Sequence, residues 1–227
     1  MILKTIIAVH TPKTAGSSFL HQIKQNFSED EILLDYAENP AEPLSRINID
    51  PNYYKFDPIK TILPHNVVYG HFHPNKYAYI ENAFRMTFLR HPIENVVSIY
   101  FFWMAHNRNF WNSPIFQYCK DMNLSLNQYA ALPMIRYLYT RTYFGNYNMK
   151  QFDFIGDYTN YDEELLRLGN LLGLKFDLTV HLNVTSEYIA PSSGVEKERS
   201  RVIEIEFASL KEVLKEDIEF YEEYKGK

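Results

Sequence analysis

The sequence predicts an α/β fold, and three observations carry that prediction. Short apolar or β-branched runs alternate with segments of helical spacing, the pattern of strands and covering helices. The first such run, Thr5-Ile6-Ile7-Ala8-Val9, passes straight into a compact loop, His10 to Ser18, and then into helical spacing at Phe19, Leu20 and Ile23. Finally, 227 residues with 46% hydrophobic and 22% charged side chains suffice for one sizeable core.

Strands are expected at 4–10, 31–36, 66–72, 84–90 and 152–157. Helices are expected near 16–27, 92–107, 161–172 and 203–224. Ile32-Leu33-Leu34, Val67-Val68-Tyr69 and Met86-Thr87-Phe88-Leu89 are short apolar runs of strand length. Pro92 suits the first turn of the helix that follows the fourth strand. Residues 38–64 carry Pro40, Pro43, Pro51, Pro58 and Pro64, so they read as loop with at most short helices. Residues 108–150 hold Trp111, Phe116, Tyr118, Tyr129, Tyr137, Tyr139, Tyr143 and Phe144. They read as a helical layer whose aromatics either wall an acceptor pocket or pack as ordinary core. In the last segment Phe207, Leu210, Val213, Leu214 and Tyr221 follow one helical face. No repeat, low-complexity tract or linker divides the chain, which is expected to be a single domain over 1–227.

The bulk properties exclude several function classes. A net charge of −5 argues against a broad nucleic-acid surface. The single Cys119 rules out an intramolecular disulfide, fits a reducing compartment and reads as a small buried side chain. Residues 2–9 are too short for a signal peptide, and no apolar stretch is long enough to span a bilayer. A soluble, cytoplasmic protein with no membrane span is expected.

The opening loop carries the chemistry. A strand–loop–helix junction aims backbone N–H groups and the positive helix end at an anion. Lys13, Thr14, Ala15, Gly16, Ser17 and Ser18 therefore point to a phosphate- or sulfate-bearing ligand. The plain alternative is a tight turn in which Ser17 or Ser18 merely caps the helix. The loop is not the nucleoside-triphosphate motif G-x-x-x-x-G-K-[ST], because Lys13 precedes Gly16 by three residues and no lysine follows the glycine.

A second anion element lies at 84–100. Arg90 follows a buried strand, and Ser98 lies two turns into the next helix, where both side chains can address one anion. Pro12-Lys13-Thr14-Ala15-Gly16-Ser17-Ser18 resembles the 5′-phosphosulfate loop of sulfotransferases, P-K-[TS]-[AG]-[GT]-[ST]-[ST]. The segment from Leu89-Arg90-His91-Pro92 through Ser98 to Tyr100 resembles their 3′-phosphate motif, L-R-[DN]-P-x-x-R-x-x-S-x-Y. With both motifs in the right order, the chain resembles the sulfotransferases that use 3′-phosphoadenosine 5′-phosphosulfate (PAPS), nearest the family containing carbohydrate 2-O-sulfotransferases (sulfotransferase family 2). His91 and Asn95 depart from that pattern; Arg90 and Ser98 keep it.

The resemblance implies a three-layer, P-loop-like fold with a central parallel sheet flanked by helices. It implies PAPS as sulfate donor, with adenosine 3′,5′-bisphosphate (PAP) as its product, and no metal. It implies that Lys13 neutralises charge at the bridging oxygen, and it makes Tyr158 a contact to the base. His181-Leu182-Asn183-Val184-Thr185 resembles a short family segment before the final loop. The stretch 192–199 takes the place of a nucleotide-covering loop, with Ser193, Gly194 or Arg199 as contacts. A catalytic histidine is expected where the third strand ends. His71 is the first choice and His73 the second, because residues i and i+2 share a face while a strand continues, and imidazole is suited to taking the acceptor proton. Lys76 is a possible helper. A zinc reading of this pair lacks H-E-x-x-H and a cysteine pair.

Two rival readings stand beside this one. In a P-loop small-molecule kinase, Asp35 would end the second strand as a Mg²⁺ ligand. In the other, a non-catalytic nucleotide-binding protein keeps the same fold. For a sulfotransferase the acceptor is a hydroxyl, with a glycan favoured and a lipid or small alcohol open.

Overall fold

In the computed structural model, which describes residues 4–36, 48, 50, 52–62, 64–110, 113–180 and 195–227, the alternation is realised in order. β1 (Thr5–Val9) leads to α1 (Gly16–Asn26), β2 (Ile32–Asp35), the short α2 (Tyr53–Phe56), β3 (Val67–Gly70) and β4 (Ala83–Leu89). α3 (Pro92–Ala105) follows, with α4 (Pro114–Asp121), α5 (Leu126–Ala130), α6 (Pro133–Arg136) and a π-helix, Leu138–Tyr143. β5 (Phe154–Asp157), α7 (Tyr161–Leu172), α8 (Val195–Val213) and α9 (Lys215–Tyr224) complete the chain. Among the described residues no helix is long and apolar enough to cross a membrane.

The strands form one sheet in the order β2-β3-β1-β4-β5, and all four pairings are parallel. Such a sheet needs cover on both faces, and the alternation of side chains along β1 supplies two apolar surfaces. Ile6 and Ala8 pack with Phe19 and Ile23 of α1 and Leu165 and Leu168 of α7. Ile7 and Val9 pack with Val96 and Val97 of α3 and with Tyr129, Tyr139, Leu210 and Tyr221 from the later helices. The result is a three-layer α/β fold with the central parallel sheet flanked by helices: the α/β class is the one the sequence pattern predicts, and the layering is the one the family resemblance implies. Each fully buried Ile or Phe here contributes roughly 1.5–3 kcal/mol from removal of apolar surface from water.

Topology positions the site. The connection leaving β1 runs toward the β2 edge, whereas that leaving β4 runs toward β5. β1 and β4 are neighbours, so the carboxyl ends of this pair flank the switch point where open α/β sheets bind ligands. The loop at 10–16 leaves β1 there, and Arg90 leaves β4 beside it.

Two expectations are corrected. The single helix at 203–224 is instead α8 and α9, parted at Leu214, whose φ of −96° and ψ of 12° lie off helical values. Hydrogen bonds persist across the break, Leu214 N to the Leu210 carbonyl and Ile218 N to that of Leu214. In the stretch 192–199, residues from Val195 onward belong to α8 rather than to a loop. Ser193, Gly194 and the segment His181–Thr185 lie outside the described residues.

Candidate active site

The opening loop holds two non-glycine residues in the left-handed region, Lys13 at φ 61° and Ala15 at φ 58°. Each such residue costs roughly 1–2 kcal/mol, and the surroundings hold them there. Thr11 Oγ1 donates to the Phe88 carbonyl at 3.0 Å, Thr14 Oγ1 to the Thr11 carbonyl at 2.8 Å, and Asn95 Nδ2 to the Pro12 carbonyl at 2.8 Å. Asn95, a departure from the resembled motif, thus ties α3 to the loop. Backbone strain of this kind, held in place on every side, is what an anion-binding nest at a helix start requires. The N-cap of α1 is Ala15, and no side chain caps it. Ser17 is exposed and Ser18 is buried.

Arg90 meets this loop. Its Nη1 donates to the Lys13 carbonyl at 3.3 Å across 77 residues of sequence. Its guanidinium lies 4.6 Å from the centre of the Tyr158 ring, and its Nε lies 3.5 Å from a carboxylate oxygen of Glu94. Ser98 is fully buried, and its Oγ has no hydrogen-bond partner among the described residues. A buried hydroxyl without a partner costs about 1–3 kcal/mol, so Ser98 is suited to a ligand oxygen. The Lys13 ammonium lies 4.4 Å from the centre of the Phe102 ring. Past the end of α3 that ring is followed by His106 at 4.5 Å between centroids, and His106 by Phe110 at 3.9 Å.

The two histidines after β3 part company. β3 stops at Gly70, so the shared face expected from an i, i+2 spacing is lost. His73 caps the 3-10 turn Pro74–Tyr77, its Nδ1 accepting from Asn75 N at 3.2 Å and its Nε2 donating to the Gly145 carbonyl at 2.9 Å. With both nitrogens engaged and no exposed surface, His73 has no lone pair to offer a substrate. His71 is half-buried, and its Nδ1 lies 2.6 Å from the His10 carbonyl. A carbonyl only accepts, so Nδ1 carries the proton and the lone pair of the neutral ring is on Nε2. Burial pushes the His71 pKa down to about 4, against the opposing pull of that hydrogen bond.

His10 opens the loop, and the sequence assigns it no role. Its ring stacks on His71 at 4.6 Å and on Tyr69 at 5.2 Å, and its Nδ1 is 3.2 Å from the Tyr36 hydroxyl. Burial, then the neighbouring His71 and Lys13, hold it well below the usual histidine range. Lys76 is no helper. Its ammonium pairs with Asp35 at 2.7 Å and donates to Asn48 Oδ1 at 2.6 Å. Tyr77 also donates to Asp35, and Asn48 reaches both that carboxylate and the His71 carbonyl. The carboxylate on which the kinase reading depends is thereby occupied. Among the described residues no group of three or more metal-ligating side chains is placed to hold an ion.

These histidines make stability depend on pH. Burial also lowers His73 to about 4. Below 6.5 the unfolded chain takes up protons that the native one refuses, so stability is complete above pH 6.5 and falls as the pH drops toward 4. A fall from 6.5 to about 4 in His73 alone corresponds to about 3 kcal/mol by the bottom of that window. Thermal unfolding followed by circular dichroism should show the melting temperature declining from pH 6.5 to 4.5; a flat profile there contradicts neutral burial of the three rings.

No protein-family model and no curated protein matches the chain. Among solved structures it is similar to mouse sulfotransferase SULT7A1 complexed with PAP, at 13% identity and a TM-score of 0.38 over 77% of this chain. The chain covers 59% of SULT7A1's own length. It is also similar to a sulfotransferase from Alicyclobacillus acidocaldarius, at 13% identity and a TM-score of 0.39 over 96% of this chain and 97% of that one. Likenesses this weak carry no functional weight, so function rests on the residues themselves.

Proposed function

We propose that the chain is one sulfotransferase domain that moves a sulfuryl group from PAPS to an acceptor hydroxyl. The observation that carries the reading is the hydrogen bond from Arg90 to the Lys13 carbonyl, which joins two anion elements that are distant in sequence. The residues fit a ligand with two anionic ends: a strained loop with Lys13 for one, Arg90 and the unpartnered Ser98 hydroxyl for the other. When bound, PAPS supplies the transferable sulfuryl group and a bisphosphate leaving group.

Lys13 places a positive charge, and the loop its fixed backbone dipoles, where negative charge builds on the leaving oxygen. The same region of Thr14, Ala15, Gly16, Ser17 and Ser18 cradles the 5′ end. Arg90 and Ser98 would hold the 3′-phosphate, and Tyr158, whose ring centre lies 4.6 Å from the Arg90 guanidinium, would flank the base. His71 takes the acceptor proton on Nε2, the nitrogen its tautomer leaves free, whereas His73 serves the fold. The rings of Phe102, His106 and Phe110 pack in succession from the Lys13 ammonium, and the exposed ring of Phe110 suits the C–H face of a sugar. A glycan hydroxyl is therefore the favoured acceptor, and the cytoplasm the expected compartment.

Thermal shift with PAP, set against ATP with Mg²⁺, tests the reading. Saturation at a hundred times the dissociation constant adds about 2.7 kcal/mol to stability, so PAP should raise the melting temperature by several degrees. Stabilisation by ATP with Mg²⁺ but not by PAP overturns it. Radiolabelled PAPS offered with glycan, lipid and phenol acceptors then identifies the hydroxyl.

A further inference from the structure

We infer that the π-helix Leu138–Tyr143 is the positioning clamp of the site, with Tyr139 holding the anion-binding arginine and Tyr143 holding the base. The inference rests on the sulfotransferase reading for what the clamp serves, and on geometry for its existence. π-helical turns are rare and occur disproportionately at functional sites. This one is defined by wide hydrogen bonds, Thr142 N to the Tyr137 carbonyl at 2.9 Å and Phe144 N to the Tyr139 carbonyl at 3.0 Å. Its two tyrosines, just under one turn apart, reach two different halves of the site.

Tyr139 is fully buried. Its hydroxyl accepts from Arg90 N at 3.1 Å and donates to the Arg90 carbonyl at 2.9 Å. The backbone of Arg90, just past the end of β4, is thus held from both sides by a phenol 49 residues away. Tyr143 brings its hydroxyl to 3.3 Å from His71 Nδ1, the nitrogen whose proton already points at the His10 carbonyl at 2.6 Å. The His10 carbonyl, which can only accept, sets the tautomer with its lone pair on Nε2; the phenol oxygen is then a second acceptor for the same proton and steadies the ring. The start of the π-helix is anchored by Asp217 of α9, which is 1% exposed. Its carboxylate accepts from Tyr139 N at 2.8 Å, Thr140 N at 3.0 Å and Thr140 Oγ1 at 2.7 Å. One irregular element therefore fixes the arginine and the histidine relative to each other.

Phenylalanine keeps either ring and deletes only the hydroxyl. Tyr139→Phe should weaken PAP binding on the order of tenfold, read by titration calorimetry, with kcat at saturating donor little changed. Tyr143→Phe should do the reverse, lowering kcat on the order of tenfold with the donor KM unchanged. The imidazole ¹⁵N spectrum of the unmodified chain should show His71 protonated at Nδ1, and Tyr143→Phe should shift the Nδ1 resonance while the His10 carbonyl keeps the tautomer. The spectrum needs neither turnover nor a variant, so it stands even if a substitution impairs folding. A His71 protonated at Nε2 in the unmodified chain overturns the clamp. So do a PAP affinity, a kcat and an Nδ1 resonance that neither substitution moves in a chain that binds PAP. Failure of the unmodified chain to bind PAP, with the tautomer as stated, overturns the sulfotransferase reading instead.

Discussion

Replacing Lys13 by alanine is expected to lower sulfuryl transfer by on the order of 10³-fold or more, about 4 kcal/mol of barrier. The ammonium is set over the Phe102 ring, and its backbone sits in the left-handed region that the loop enforces, so no neighbouring cation can take its place without rebuilding the turn. Arg90 is committed to the Lys13 carbonyl and to Tyr158, and Lys76 to Asp35. The same substitution should weaken PAP binding, since the charge is present before and during transfer. His71→Ala gives the contrasting result. Loss of a general base costs about 10²–10⁴-fold, while PAP affinity should stay within about threefold because the imidazole addresses the acceptor proton alone. Radiolabelled transfer and titration with PAP, run on both variants, separate the roles. Full turnover by His71→Ala would remove it from the mechanism.

The parts legible in the sequence are those written in local pattern. β1, the loop and α1 form one continuous string, and the apolar runs of β3 and β4 begin and end within two residues of expectation because their boundaries carry Gly, Arg and Pro. Arg90 and the loop lysine could be picked out as candidates for the same reason. The choice between His71 and His73 was not, since it turns on where β3 stops and on a carbonyl at Gly145, 72 residues away. Lys76 reads locally as a possible helper, and only the fold brings Asp35 to it. Tyr139 and Tyr143 were visible as members of an aromatic-rich stretch, yet nothing in the spacing says which hydroxyl reaches Arg90 or His71. His10 carries the sharpest lesson. Its place at the strand end was plain, but its ring acts through neighbours from two other strand ends.

Gly16→Ala is expected to cost about 3 kcal/mol of stability, at the upper end of what one inserted methyl usually does, and to reduce turnover with it. An added Cβ would lie 2.0 Å from His10 Cε1 and 2.1 Å from its Nε2. That ring cannot swing aside cheaply, because it is stacked on Tyr69 and His71 and hydrogen-bonded to Tyr36. Either α1 retreats and opens the anion loop, or the ring shifts and disturbs the His71 stacked against it. Gly173 is the control. It sits at φ +69° with nothing within 4 Å of an added Cβ, so Gly173→Ala meets only the left-handed strain of roughly 1–2 kcal/mol and should leave transfer intact. The pairing is tested by adding His10→Ala to Gly16→Ala: the double variant should be more stable than the sum of the single changes predicts, because the clash is gone. Simple additivity, or a Gly16→Ala chain as stable and active as the unmodified one, would contradict it. The resembled loop pattern admits threonine where this chain has Gly16. On this account His10 is what forbids it here, and the two residues define one steric unit that ties the anion loop to the base.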